Sequence, residues 1–324
     1  MLLTYVFRKL LLFGIFSMEV LINSLLSVAL VVLLGYIAGK TNLIRQENDH
    51  SLNVFILNFS LPILLFIAAA TAKPKELLDW RVGGAFAVGL LGMYALVLLL
   101  NRFILGRSLA RSAETAFVCG YPNTAFLGIP LMMAIVGMPA MLPIVVSNII
   151  VGVIMIPLTL ILIEISVVGE GRVNFAHIVR RILKNPLIFM PVLGILISLL
   201  HIEIPKAIES SAHLIGGTTS GVSLFTLGLI MSRFKIHLSA VTLLNIFFKN
   251  IFHPILMLGV VHLFGITGLL AKELIILCAM PTAVTATIFS ITFDLDPIEN
   301  VSSTIFGTIF SLITLLGFMY YLHF

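Results

Sequence analysis

Charge is what this sequence has least of. Only 10% of its 324 residues are Asp, Glu, Lys or Arg, against about a quarter in a soluble globular domain. With 60% hydrophobic residues, that shortage excludes a water-soluble fold, whose outside must be wetted. Cysteine is nearly absent. Cys119 and Cys278 both lie inside apolar runs, so neither a disulfide framework nor a zinc site is implied. Neither has a His or a charged residue beside it, and no His-Glu-x-x-His run occurs. The sequence therefore offers no chemistry for a membrane-embedded enzyme. The net charge of +5 comes in short clusters between apolar runs. That pattern argues for a lipid bilayer as partner and against nucleic acid.

Long hydrophobic runs are what the chain has in plenty. A spanning helix needs about 20 largely apolar residues. Ten stretches qualify: 19–39, 51–70, 80–101, 112–136, 141–166, 186–200, 211–232, 242–264, 272–293 and 300–322. The sixth is short. Residues 1–17 carry Arg8 and Lys9 ahead of apolar residues but no small-residue cleavage site, so they read as a peripheral extension rather than a signal peptide. Lys and Arg favour the odd-to-even connections. Twelve lie there (Lys40, Arg45, Arg102, Arg107, Arg111, Arg172, Arg180, Arg181, Lys184, Arg233, Lys235, Lys249) and seven on the other side. The bias predicts a multi-pass membrane protein with both termini outside and the loop 167–185 in the cytoplasm.

Two stretches are interrupted alike. The fourth reads Cys119-Gly-Tyr-Pro122-Asn-Thr-Ala and the ninth Cys278-Ala-Met-Pro281-Thr-Ala-Val, at an offset of 159. The same offset takes Gly35 to Gly194 and Pro62 to Gly221. Residues 18–166 and 186–324 thus read as two copies of five spans. An odd number of spans per copy forces the second to enter from the opposite side, giving inverted repeats. The predicted fold class is an all-α membrane protein with ten transmembrane helices in two inverted five-helix repeats, helices 4 and 9 being broken and crossed.

A mid-helix proline removes a backbone donor and clashes with the carbonyl one turn back. In a bilayer such a break survives only where protein or water covers it. Each new helix start presents unpaired N–H groups and a positive dipole end, which suit an anion such as a carboxylate. Pro122 and Pro281 make the breaks. The candidate binding residues are Asn123, Thr124, Thr282 and Ala283 at the helix starts, with Thr285 one turn in; Asn and Thr also suit capping. Tyr121 stacks over or hydrogen-bonds a ligand, or fills space. Asn58 faces the substrate path or makes an interhelical hydrogen bond. The small-residue run Gly216–Gly221 reads as close helix packing, and Asn148 and Asn245 as interhelical glue. Glu114, Glu164, Lys249, His253 and His213 read mostly as interfacial. Lys249 and His253, four apart, also share a helix face, where they would bind a carboxylate or shuttle a proton. Asp296-Pro297 reads as the cap and first turn of the tenth helix and not as a metal site.

The stretches Gly35-Tyr-Ile-Ala-Gly-Lys40, Leu57-Asn-Phe-Ser-Leu-Pro62, Asn123-Thr-Ala-Phe-Leu-Gly-Ile-Pro130, Met280-Pro281 and Asp296-Pro297 together resemble the auxin efflux carrier family. That family includes bacterial malonate-type carriers and plant PIN proteins. The resemblance covers about residues 18–324. It implies a fold like that of bile-acid symporters and sodium–proton antiporters. Helices 1, 2, 6 and 7 would form a scaffold, and helices 3–5 and 8–10 a moving transport domain. The family's crossover Pro and following Asn fall on Pro122 and Asn123, and its second crossover Pro on Pro281. PIN proteins have a long central loop. The short one here favours a prokaryotic carrier and puts auxin in doubt as substrate. The expected function is secondary transport of small organic anions, mono- or dicarboxylates such as malonate, by elevator-type alternating access. No cofactor is expected beyond a coupling H+ or Na+, and a homodimer through the scaffold is typical of the fold. The alternative is a cation–proton antiporter or sodium-coupled symporter. Against the antiporter, no acidic residue lies between Cys119 and Pro130 or between Cys278 and Phe293.

Overall fold

A chain this apolar has to bond its own backbone, and the helix is how one segment does so alone. The computed structural model describes residues 26–44, 48–74, 80–137, 140–168, 184–233 and 237–324, and among these it is all-helical, with one isolated β-bridge and no strand. The N-terminal extension 1–17 and most of the loop 167–185 lie outside the described residues.

The helices, in chain order, are α1 Leu26–Lys40, α2 Ser51–Thr71, α3 Trp80–Ile104, α4 Leu109–Gly120, α5 Thr124–Ile135, α6 Met141–Ser166, α7 Pro186–Leu199, α8 Lys206–Met231, α9 Ala240–Leu263, α10 Gly268–Ala279, α11 Val284–Thr292 and α12 Pro297–Tyr321. Six of them, α2, α3, α6, α8, α9 and α12, are long and apolar enough to cross a membrane. Their outward faces are apolar too: Leu30, Leu34 and Ile37 on α1 and Ile309 and Ile313 on α12 are exposed, as lipid contact requires. The stretches expected at 112–136 and 272–293 are each two shorter helices, α4 with α5 and α10 with α11. Both first pieces are wrapped in protein: every residue from Ser112 to Gly120 and from Glu273 to Ala279 is buried.

Proline shapes the long helices without breaking them. Five-residue π-turns occupy Ile56–Ser60, Thr124–Gly128, Val151–Met155 and Phe248–Phe252. Each ends two residues before a proline: Pro62, Pro130, Pro157 and Pro254. A prolyl ring clashes with the carbonyl four residues back. Those carbonyls belong to Asn58, Phe126, Val153 and Asn250, the central residue of each π-turn. Widening the ladder there moves the carbonyl aside and keeps the helix continuous. A fifth π-turn, Leu100–Ile104, has no proline behind it.

Helices α1, α2, α7 and α8 pack through glycine. A Cβ on Gly35 would strike the Phe225 backbone and one on Gly228 the Val32 backbone, so α1 and α8 touch main chain to main chain. Gly194 of α7 meets the Phe66 and Ala70 backbone of α2, and Gly216 of α8 meets Leu64. The Ser60 hydroxyl bonds the hydroxyls of Thr218 and Thr219. The run Gly216–Gly221 therefore packs helices as expected at Gly216, Thr218 and Thr219, whereas Gly217 and Gly221 face open space. Gly228→Leu is expected to lose about 3 kcal/mol or more, because a backbone cannot yield as a side chain does. The check is a lowered melting midpoint in detergent.

Contacts sort the connections into two ends. At one, Arg107 pairs with Glu299 at 3.0 Å and Arg233 reaches the Ile44 carbonyl at 3.5 Å, while His237 N–H donates to Ser302 at 2.9 Å. At the other, Ser198 donates to the Ala72 carbonyl, Trp80 lies against Phe264, and Lys272 donates to the His323 carbonyl. The helices thus run alternately between these ends.

Candidate functional site

Helix α4 stops because Pro122 has no N–H for the Val118 carbonyl; the last bond is Tyr121 N–H to Phe117 O at 3.0 Å. Helix α10 stops at Pro281 for the same reason, with Met280 N–H closing on Leu277 O at 3.3 Å. The two extended pieces cross antiparallel and bond to each other. Asn123 N–H donates to Pro281 O at 2.8 Å and Ala283 N–H to Tyr121 O at 2.9 Å, bridging Pro122 with Thr282. The Thr282 hydroxyl then donates to Val118 O at 2.9 Å. It supplies the donor that Pro122 lacks.

The two gaps are unequal. Tyr121–Asn123 separates α4 from α5, but Met280–Ala283 separates α10 from α11. The offset is 159 up to the prolines and becomes 160 beyond them. The counterpart of Asn123 at the second break is therefore Ala283, and each residue is the N-cap of the helix that follows. The offset of 159, carried past the prolines, would place Thr282 at that position instead. Thr282 sits inside the bridge, tied to α4.

Most of the expected site residues meet at this crossing. Tyr121, Pro122, Asn123, Thr124, Pro281, Thr282, Ala283 and Thr285 are all buried there. Asn123 Oδ1 accepts the Phe126 N–H at 3.3 Å, a side-chain cap that leaves the Asn123 NH2 group to donate elsewhere. Thr124 is held in place: its hydroxyl accepts from Asn148 at 3.0 Å and lies 3.5 Å from Ser147. Asn148 is the glue the sequence suggests, and so is Asn245, whose amide donates to Ser303 at 3.2 Å. The Tyr121 ring packs on Phe117 with centroids 5.3 Å apart. The Thr285 hydroxyl lies beside the Tyr121 phenol but meets no hydrogen-bond partner. Asn58 stands apart: it is exposed and its amide closes on Val54 O of its own helix.

The structure adds a cation that the sequence reading places at the interface. Lys249 is 2% exposed and His253 0%. Lys249 Nζ donates to Cys278 O at 2.8 Å and lies 3.2 Å from His253 Nδ1. Cys278 O is one of the carbonyls freed at the end of α10, so the ammonium caps the negative end of that helix. One turn earlier on α9, Asn245 O accepts from the Cys119 thiol at 3.8 Å. Helix α9 thus lies along the ends of both α4 and α10. No carboxylate pairs with Lys249 among the described residues.

Two carboxylates were also missed. Glu114 on α4, read as interfacial, is 0% exposed, and Glu273 on α10 is 3% exposed. Both oxygens of Glu114 and Oε1 of Glu273 have no hydrogen-bond partner. They are 159 apart, so both interrupted helices carry Glu-x4-Cys-x2-Pro. Extending the Cys-Pro match backwards by five residues finds them. At the head of α12, Asp296 precedes Pro297 as expected, but its carboxylate reaches Arg107 at 3.7 Å and Arg111 at 3.6 Å instead of capping the helix. No group of three His, Cys, Asp or Glu residues able to hold a metal occurs among the described residues.

The sequence profile of the family described as "Membrane transport protein" matches residues 20–319. An "Uncharacterized transporter YfdV" of Escherichia coli (strain K12) is 29% identical over 73% of this chain and 77% of its own length. An "Uncharacterized transporter" of Methanothermobacter thermautotrophicus is 26% identical over 90% of this chain and 95% of its own length. "Auxin efflux carrier component 5" of Arabidopsis thaliana is 20% identical over 92% and 95%.

Proposed function

Because the chain belongs to the membrane transport protein family, that of the auxin efflux carriers, and is a membrane transporter, we propose that it carries small organic anions, mono- or dicarboxylates of the malonate type. One observation carries the reading: two proline-interrupted helices cross and pair their backbones at Asn123–Pro281 and Ala283–Tyr121. The crossing brings the starts of α5 and α11 together. First-turn N–H groups have no partner within their own helix, and two positive dipole ends at one point favour a negative solute. The Asn123 NH2 group, Thr285 and Tyr121 border those ends and bring no negative charge. Lys249, capping α10 from behind, makes the surroundings more positive still.

In this proposal the chain has ten spans in two inverted repeats of five. Matching Glu-x4-Cys-x2-Pro segments support it, as does the alternation of helices between two ends. Helices α1, α2, α7 and α8, locked through glycine, form the scaffold and the site of a homodimer. The remaining helices carry the substrate across it in elevator fashion, with the Arg107 end in the cytoplasm of a bacterial inner membrane.

The test is ligand binding to purified protein, followed by uptake into proteoliposomes. A ligand at 100 times its Kd stabilises by about 2.7 kcal/mol, which raises the melting midpoint of a chain this size by about 4 °C. Malonate, succinate and acetate are compared with neutral malonamide. The expected result is a shift and saturable uptake with at least one carboxylate and none with malonamide. A shift with malonamide alone, or no response to any carboxylate, overturns the proposal.

A further inference from the structure

The two buried carboxylates at Glu114 and Glu273 have no part in holding the crossing, and among the described residues neither makes an ion pair. Resting on the reading of the chain as an anion carrier, we propose that Glu114 and Glu273 are proton-binding sites that couple transport to a proton gradient, one on each approach to the crossing.

The argument begins with partners. An ionised carboxylate taken out of water needs donors or a cation. Glu114 is 0% exposed with both oxygens unpartnered, and Glu273 is 3% exposed with Oε1 unpartnered. Cations stand close by in sequence but are committed elsewhere. Arg111, three residues before Glu114, pairs with Asp296, and Arg107 takes Glu299 and Asp296. Lys272, adjacent to Glu273, donates to the His323 carbonyl. The acids at the head of α12 are thus matched with arginine, while these two are left to be neutralised by a proton.

Position supplies the second line. Glu114 lies six residues before the end of α4, about 9 Å along the helix from the crossing. Glu273 lies six residues before the end of α10. The two helices approach the crossing from opposite ends of the molecule: α4 from the Arg107–Glu299 end, α10 from the Lys272–His323 end. Each approach therefore has one carboxyl, and both ride with the helix starts that hold the anion. A proton bound there offsets the charge of the anion as it moves.

The groups around Glu114 leave it no ion pair. Helix α3 contributes Tyr94, whose phenol accepts from Thr159 of α6 at 3.1 Å. Helix α6 also carries Glu164, partly exposed, and α9 places Lys249 five residues further on, by Cys119 and Cys278. Helix α12 contributes Glu299, held by Arg107. The helices packed on α10 carry Lys249, His253 and the exposed His262 on α9, the partly exposed Glu164 on α6, and Glu299, Tyr320 and Tyr321 on α12, with His323 beyond its end.

The test uses the full chain in proteoliposomes with radiolabelled malonate, or whichever carboxylate binds. Two modes are measured: counterflow exchange, which needs no net proton movement, and accumulation driven by an acid-outside pH gradient. Wild type is expected to show both. Glu114→Gln and Glu273→Gln keep the shape and remove the titrating group. Each is expected to keep counterflow and lose about tenfold or more of the pH-driven accumulation. Variants that accumulate like wild type would make the carboxyls packing groups and overturn the proposal. If the variants do not fold, a pH dye trapped in wild-type vesicles decides: substrate entry must acidify the lumen, and an unchanged lumen overturns the proposal. Absence of counterflow in wild type with every carboxylate would instead sink the carrier reading itself.

Discussion

Asn123→Ala removes saturable uptake and leaves a folded protein. Two interactions go with the side chain. The cap on Phe126 N–H is worth about 1 kcal/mol. A hydrogen bond from the Asn123 NH2 group to a bound carboxylate is worth about 1.5–3 kcal/mol, or about 10- to 150-fold in Kd. The fold survives because the contact of residue 123 with the other break is made by main chain: its N–H donates to Pro281 O in any variant but proline. Asn123→Asp separates the two roles. Asp caps as well as Asn, so stability stays near wild type, but its charge repels the anion and binding is lost. Thermal melting with and without ligand, beside uptake, reads both. Transport by Asn123→Ala at the wild-type rate would remove this residue from the site.

Lys249→Met weakens anion binding far more than it weakens the fold. Methionine has nearly the length of lysine without its charge. The fold loses a donor to Cys278 O, a cost of about 1–3 kcal/mol for a carbonyl left bare. Against that, a buried ammonium without a carboxylate partner is itself costly, so the net change is small. The bound anion has no such offset. A unit charge about 8 Å away at an effective dielectric near 20 contributes about 2 kcal/mol, or about 30-fold in Kd. Lys249→Arg keeps the charge but cannot fit its larger fork between Cys278 O and His253. It is expected to bind better than Lys249→Met and melt earlier than wild type. Titration calorimetry decides: an unchanged Kd in Lys249→Met would mean that the lysine is purely a helix cap.

The parts of this molecule that were legible in the sequence are those a one-dimensional pattern can carry. The apolar runs 51–70, 80–101, 141–166, 211–232, 242–264 and 300–322 coincide with the six helices able to span a membrane, since their burial in lipid is written in composition. The breaks at Pro122 and Pro281 were legible because proline has one mechanical meaning inside a helix. What escaped notice depends on neighbours. Lys249 and Glu114 look interfacial by their distance from a helix end. Only packing shows that the Lys249 ammonium reaches a carbonyl freed by a proline 32 residues later, and that Arg111 turns from Glu114 to Asp296. The correspondence of Asn123 with Ala283 as helix caps escaped for another reason. Matching Cys with Cys and Pro with Pro is correct up to the break, but the second gap holds one more residue, and the register slips beyond it. The partner of Asn58 was not legible either, because an amide in an apolar run can bond its own helix, as this one does at Val54 O.

The wide turns ahead of Pro62, Pro130, Pro157 and Pro254 have a mechanical meaning. A coil that closes its rings over five residues holds one residue of slack, and here the slack sits where a rigid ring would otherwise force a tear. Bending at such a point exchanges one set of closed rings for another and bares no peptide group to oil. A rod built this way flexes like a cable with a spare loop rather than a snapped stick. Deleting one residue from 151–155 would take up that slack and leave the rest of the rod in register, but it would drive the Pro157 ring into the carbonyl one turn back.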